Sequence, residues 1–312
     1  MAAYFLRRLW QTIPTLFGVI LLVFLLFKGF GGDPAEILGG LRASSAQIAA
    51  IRQQLGLDEP LPTQFWIFLK QVATFDWGRS WATNESVASL FATRLPATLT
   101  VMVPILVLET VLAIPLALGV AYVRGSLTDR TMMVLTTVAL SISFLVYVIV
   151  GQYVFAFQLG MFPVQGWSDS LWTNLTTYAP LPVLLAVLVS LAPQTRLYRS
   201  FFLDEMGQDY VRTARAKGLT EPAVMLRHVL RNALIPILTN VAVSLPGIFV
   251  GSFLIEVFFS IPGLGRELLL AVNRSDYPVI QAFAIYTAAI TMAVNLLTDL
   301  LYKLADPRVV LH

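Results

Sequence analysis

Few residues of this 312-residue chain have the types and spacing that covalent chemistry needs. Its two histidines, His228 and His312, lie outside the long apolar runs, so no run pairs a nucleophile with a base. No G-x-S-x-G occurs, and no apolar run holds two aspartates. Cysteine is absent, which removes disulfides and thiolate metal sites. A phosphate-binding loop needs glycine directly before its lysine. Lys28, Lys70, Lys217 and Lys303 instead follow Phe, Leu, Ala and Tyr. The chain therefore reads as neither an enzyme nor an ATPase, with no metal site and no cofactor of its own. What it does carry is a set of polar side chains inside apolar runs. Charges in such places are costly and usually face a bundle interior. Glu109 lies mid-run and fits three roles: a buried helix–helix contact, a pathway lining, or a neutral carboxyl. Gln152, Gln194 and Asn240 are candidates for lining a cavity, and Glu256 sits near the end of its run. Asn295 and Asp299, four apart, share a helix face and read as interhelical hydrogen-bonding groups.

A second group lies in a basic connection. It reads Asp209-Tyr210-Val211-Arg212-Thr213-Ala214-Arg215-Ala216-Lys217-Gly218-Leu219, then Thr220-Glu221-Pro222. Alanines and long side chains favour helix. Asp209 at the start and Lys217 at the end suit the helix dipole. Gly218 can take the left-handed conformation that ends a helix. Thr220 can cap the next helix, with Pro222 in its first turn. A short helix, a sharp turn and a second helix follow. Two readings stand: a basic surface helix on anionic lipid, or a rigid protrusion that transmits force from a soluble partner.

The elements that must hold these groups are set by composition. Only 12% of residues are charged and 57% are apolar, with mean hydropathy +0.75. Soluble domains carry about 25% charge. Six windows with at most one charge each cover about half the chain, and about 20 apolar residues cross a bilayer as helix. Soluble enzymes, disordered tails and nucleic-acid-binding domains are excluded. The runs predict six membrane helices near 9–30, 97–122, 132–158, 179–197, 233–259 and 281–303. Each is continuous and rich in Leu, Ala and Val, and a helix satisfies its own backbone; the alternating pattern of a barrel is missing. The first run is too long for a signal-peptide core and lacks a cleavage site, so it reads as a retained helix.

Basic residues give the orientation. With the N-terminus inside, 13 of the 21 Lys and Arg residues fall inside, seven of them between Arg196 and Arg231. Six of the remaining eight lie in one long outer connection, which counts little. Both termini are therefore expected in the cytoplasm. The pI near 9.2 follows from charge at the inner face, not from nucleic-acid binding. The outer connection from Gly31 to Leu95 looks folded. Ser44 or Ser45 can cap a helix with Ile48, Ile51 and Leu55 on one face, Gly56 stops it, and Pro62 starts another. It fits a helical cap on the membrane domain or a docking surface for an outside partner.

The segment Asp209–Leu219, followed by Arg231-Asn-Ala-Leu-Ile-Pro236, resembles the cytoplasmic loop of bacterial binding-protein-dependent ABC importer permeases, in the dipeptide, oligopeptide and nickel branch. The same branch is matched by Gly32-Asp33-Pro34, Leu55-Gly-Leu-Asp58 with Pro60, Asp76-Trp-Gly-Arg-Ser80 and Arg94-Leu-Pro96 with Thr98-Leu99. Phe259-Ser-Ile-Pro-Gly-Leu-Gly265, Arg274-Ser-Asp-Tyr-Pro278 and Asp306-Pro-Arg308 complete the set. Each is weak alone; their order over the whole chain is specific. One departure stands out: the general loop pattern has Glu-Ala-Ala before the glycine, and this chain has Arg212-Thr213-Ala214.

The resemblance implies an all-α integral membrane protein with six transmembrane helices and a type I ABC importer permease fold. Residues 1–30 would be the tail and first helix, 31–95 a small helical periplasmic insertion, and 96–312 the permease core with a coupling loop at 198–232. It implies import of peptides or peptide-like solutes, or of nickel chelates, by alternating access across the bacterial inner membrane. The implied partners are a second homologous permease subunit, two ABC ATPase subunits that hold ATP and Mg, a periplasmic substrate-binding protein and membrane lipids, with no nucleic acid. Asp209, Tyr210, Val211, Arg212, Ala214, Lys217, Gly218 and Leu219 would form the ATPase-coupling helix. A Glu stands at position 256 in the family, where it would serve a gate or contact the Pro262-Gly263 turn. An ion-driven secondary transporter is disfavoured, because the halves show no self-similarity and the basic connection has no role in it.

Overall fold

The computed structural model describes residues 2–40 and 43–305; the Asp306-Pro-Arg308 motif lies outside them. The helices are α1 (Ala2–Phe30), α2 (Pro34–Gly39), α3 (Ser45–Gln54), α4 (Leu61–Ala73), α5 (Val87–Tyr122), α6 (Leu127–Ser141) and α7 (Phe144–Gly151). They continue as α8 (Leu171–Thr173), α9 (Pro180–Met206), α10 (Asp209–Ala216), α11 (Glu221–Val224) and α12 (Leu230–Val250). The last are α13 (Phe253–Phe258), α14 (Leu264–Asn273) and α15 (Tyr277–Ala305). Wider π turns occupy Gln152–Gln158, Asn174–Tyr178 and Met225–Val229. Among the described residues there is no extended strand, only an isolated bridge between Arg79 and Ser86.

Among the described residues five helices are long and apolar enough to cross a membrane, six when the bent pair α6–α7 is taken as one span. Many of their large apolar side chains point outward, among them Val107, Val111, Leu135, Ile149, Ile235 and Val243. That inverts the soluble pattern and suits contact with lipid or another apolar chain.

Three spans differ from the sequence expectation. The run 132–158 is not one straight helix: it turns by 89° between Ser141 and Phe144. Thr137 and Ser141 return their hydroxyls to the carbonyls of Met133 and Thr137, at 2.8 and 2.9 Å. Such back-bonding loosens and bends helices. The run 233–259 is likewise broken. α12 ends at Val250, Gly251 takes φ +81°, and α13 starts afresh at Phe253. A left-handed residue cannot continue a right-handed helix. The run 97–122 begins earlier, at Val87, giving a helix of 36 residues. At 1.5 Å per residue it is about 54 Å long, well beyond the hydrocarbon thickness.

The chain divides into two units. Unit one comprises residues 1–96 and 263–312. In it α1 packs along α15 and touches α4, while α2 packs on α3. Ile20, Val23 and Ile285 are the buried centre, bordered by Phe27, Phe65 and Phe68. The expected insertion helices are present. Ser44 caps α3 in a reciprocal pair with Gln47, Gly56 follows the helix end at φ +64°, and Pro62 lies in the first turn of α4. Asp276, 2% exposed, organises the loop before α5. It accepts from the Ser80 hydroxyl and from the amides of Trp81 and Ala82.

Unit two comprises residues 97–262. There α9 packs on α6, α7 and α12. One core gathers Val101, Ile105, Val148, Leu181, Leu185 and Ile255. A second gathers Ala113, Ala117 and Ala121 of α5 with Tyr198, Phe202, Val211 and Val229. The three alanines recur every fourth residue, so α5 offers a smooth stripe that lets other backbones approach closely.

Candidate functional site

The basic connection folds into one rigid piece. α10 spans Asp209–Ala216, with Asp209 in its first turn and Arg215 in its last. Val211 and Ala214, three apart, are its buried residues, 0% and 4% exposed, within the second core of unit two. The opposite face holds Asp209, Arg212 and Thr213, all exposed. Burying Val211 anchors the helix by about 2 kcal/mol, and the polar face needs no partner within the chain.

The turn after α10 is defined by hydrogen bonds. The Gly218 amide donates to Arg215 O at 2.9 Å, and the Leu219 amide to Ala214 O at 3.4 Å. This is the Schellman pairing, and it requires a left-handed residue; Gly218 has φ +79°. Arg215 grips Glu221 through Nε and Nη2 at 2.8 and 3.2 Å, tying α10 to α11. Thr220 stands at the N-cap of α11, but its side chain makes no capping bond. Tyr210 donates its hydroxyl to the Glu205 carboxylate at the end of α9. Burial and that bond push the Tyr210 phenol up to about 12. The Arg212–Asp209 pair, 3.3 Å apart and largely exposed, contributes little. Lys217 and Leu219 are exposed beside the turn. α10 is thus held from behind, against α11 and the π turn Met225–Val229 that leads into α12.

The other sequence candidates fall at three places. Glu109 belongs to a polar seam between α5, α9 and α12. Ser190 of α9 stands near it, with its own hydroxyl given to Val187 O at 3.1 Å. The Tyr198 hydroxyl donates to Asn240 Oδ1 at 3.3 Å, and the buried Thr110 hydroxyl has no hydrogen-bond partner among the described residues. Gln194 lies on the same α9 face, between Ser190 and Tyr198, and its buried Oε1 has no hydrogen-bond partner among the described residues. Gln152 is elsewhere: its amide donates to Val164 O and Phe258 O at 3.1 and 3.0 Å. Glu256, 1% exposed, sits on α13 beyond the break, where it accepts from the Thr98 hydroxyl at 2.9 Å. A Cβ at Gly251 would run into the same carboxylate, so glycine leaves room for it.

Sequence reasoning missed Ser190 and Tyr198. Their spacing with Gln194, every fourth residue, was the available signal. It also missed a buried ion pair: Arg199 donates twice to Asp129, at 2.9 and 2.8 Å. Among the described residues no cluster of His, Cys, Asp and Glu could hold a metal.

Comparison with known proteins agrees with this architecture. The family described as "Binding-protein-dependent transport system inner membrane component" matches residues 113–311, and its N-terminal counterpart matches residues 1–102. A putative peptide transport system permease protein of Brucella abortus is 36% identical over 311 residues, covering 99% of both chains. A putative peptide transport system permease of Brucella melitensis matches equally over 311 residues. The glutathione transport system permease protein GsiC of Salmonella choleraesuis is 35% identical over 312 residues, again covering 99% of both. Two family matches that together span nearly the whole chain, on a helical membrane architecture, place this chain in the family of binding-protein-dependent transport system inner membrane components, the permease subunits of ABC importers.

Proposed function

We propose that the chain forms half of a pathway for peptides or peptide-like solutes across the bacterial inner membrane, with both termini in the cytoplasm. Relatives of the same length are named for peptide and glutathione transport, which supports that cargo. A second homologous permease completes the pathway, a periplasmic binding protein delivers the solute from outside, and two ATPase subunits, which hold ATP and Mg, dock from the cytoplasm. The single observation that carries the reading is α10: an exposed polar helix seated through Val211 and Ala214 on a core shared with α5, α9 and α12.

That seat explains how force passes. α10 buries Val211 and Ala214 and leaves a mostly polar face outside, with Tyr210 half-exposed beside it. A partner that moves it must move the core beneath it. α9 enters α10 through Gly207 and Gln208, and α12 leaves it through α11 and a π turn. Displacing α10 therefore tilts α9 and α12 together. Those helices carry Ser190, Gln194, Tyr198 and Asn240, and α5 adds Glu109, so the polar seam changes its access as they tilt. ATP binding shifts the states only by its differential affinity for them. The test is uptake of labelled glutathione and tripeptides into proteoliposomes holding the full complex. Uptake that needs both ATP and the binding protein is expected. Uptake driven by an ion gradient without ATP would contradict the reading.

A further inference from the structure

Unit one contains a cleft of about 630 Å³ that none of the roles above uses. Its volume lies in the range of small-ligand sites, about 300–1,000 Å³. It opens where α1 leaves the membrane span Trp10–Phe30, at the start of α15, under α3 and α4. The floor is apolar and aromatic, from Phe24, Phe27, Phe68, Trp77 and Ile285. The charged lining is Lys28, Arg52 and Arg79 with one carboxylate, Asp33.

The charges do not cancel. Arg52 pairs with Asp33. Burial works against ionisation of Asp33, yet bonds from Arg52 and the Ala35 amide, with the charges of Arg52 and Lys28, hold its carboxyl below the usual range. Asp33 is therefore a carboxylate already engaged. The Lys28 ammonium donates to the neutral amide of Gln64 at 2.7 Å. Arg79 donates to the carbonyl of Asn84 at 2.8 Å. Among the described residues neither Lys28 nor Arg79 has a carboxylate within 4.0 Å. Two cations without a direct ion pair therefore border an apolar cleft at the end of α1, with Asp33 near enough to Lys28 to feel its charge. Beside it α1 exposes Leu22, Leu25 and Leu26, a path along which acyl chains can run down into the bilayer.

We propose that this cleft binds one membrane phospholipid, its phosphate between Lys28 and Arg79 and an acyl chain against Phe24, Phe27 and Ile285. The leaflet is the one at which α1 ends, so the inference does not depend on the orientation of the chain. A bound lipid would tie α1 and α15 to the insertion and fix α3 and α4 at the membrane surface.

The test is native mass spectrometry of the assembled complex, taken from nanodiscs of phosphatidylglycerol and phosphatidylethanolamine and then stripped with detergent. The wild-type chain retains one phospholipid. Each cation near a headgroup contributes about a fivefold preference, so Lys28→Gln with Arg79→Gln lowers retention about thirtyfold. Arg124→Gln with Arg130→Gln, exposed and outside both the cleft and the coupling loop, leaves retention unchanged. Gln281→Trp fills the cleft while keeping both cations, and it too releases the lipid; this gives an answer even where the charge variant fails to assemble. Inorganic phosphate at millimolar concentration does not displace the lipid, because the apolar floor contributes to binding. The proposal is overturned if the wild-type chain retains no phospholipid, if the cleft variants retain as much as wild type, or if inorganic phosphate alone empties the site.

Discussion

Replacing Gly218 separates two reasons for a glycine at the end of α10. Its φ is +79°, and a Cβ built there meets nothing within 4 Å. Within this chain the penalty of a side chain is therefore conformational and not steric. The left-handed conformation costs an L-residue about 1–2 kcal/mol, which lowers the population of the native turn about 5- to 30-fold wherever the turn is marginal. Asn tolerates this conformation best among non-glycine residues, and a β-branched residue tolerates it worst. If the turn serves only to aim α10, affinity for the ATPase subunit follows Gly, Asn, Ala, Val in falling order, with Asn close to wild type. If the partner also closes over Gly218, Asn fails as badly as Val. The assay is ATPase binding to nanodisc-embedded permease, with membrane abundance as the folding control. Equal affinity for all four residues would refute both the strained turn and the docking role built on it.

Other outcomes follow from the same geometry. Val211→Ala should cost about 2 kcal/mol and lower the unfolding midpoint in detergent, whereas Arg212→Ala should leave stability unchanged and weaken ATPase binding. Removing Arg199 takes two charge-assisted bonds from Asp129, which is 8% exposed and keeps the Gly125 amide, a loss of about 1.5–3 kcal/mol; Asp129→Leu with Arg199→Met should recover most of it in a double-mutant cycle. Tyr210 should remain a neutral phenol until about pH 12. Its folded value is raised, so its contribution to stability is full below the ordinary phenol range and is lost as pH rises toward that value. The tyrosinate absorbance missing from Tyr210→Phe then identifies this late titration.

The spans were legible because charge is scarce and its gaps are long. α10 and its turn were legible because Asp209, Lys217 and Gly218 stand where helix ends require them. The interruptions were not. Hydropathy treats Gly251 and Ser141–Phe144 as continuous apolar runs, while the backbone there obeys a left-handed glycine and hydroxyl back-bonding. The early start of α5 was hidden because Arg94 and Pro96 end the charge-free window, although ten more helical residues precede the expected start. The contacts that fix polar groups were hidden for another reason. Thr98 lies 158 residues from Glu256 and Ser80 lies 196 from Asp276, and no local pattern joins them. Gln152 read as a candidate for lining a cavity, and the two backbone carbonyls that hold its amide, Val164 O and Phe258 O, carried no signal in the sequence.

The central claim, that the exposed face of α10 is where ATP-driven force enters, has a direct test. The chain contains no cysteine, so Asp209→Cys, whose side-chain position is 94% exposed, introduces a unique thiol. Bifunctional cross-linking in the assembled complex should join it to an ATPase subunit, with a yield that changes when ATP is added. Cross-links confined to a cysteine at Leu57, in the residue 31–95 segment, with none at position 209, would contradict the account.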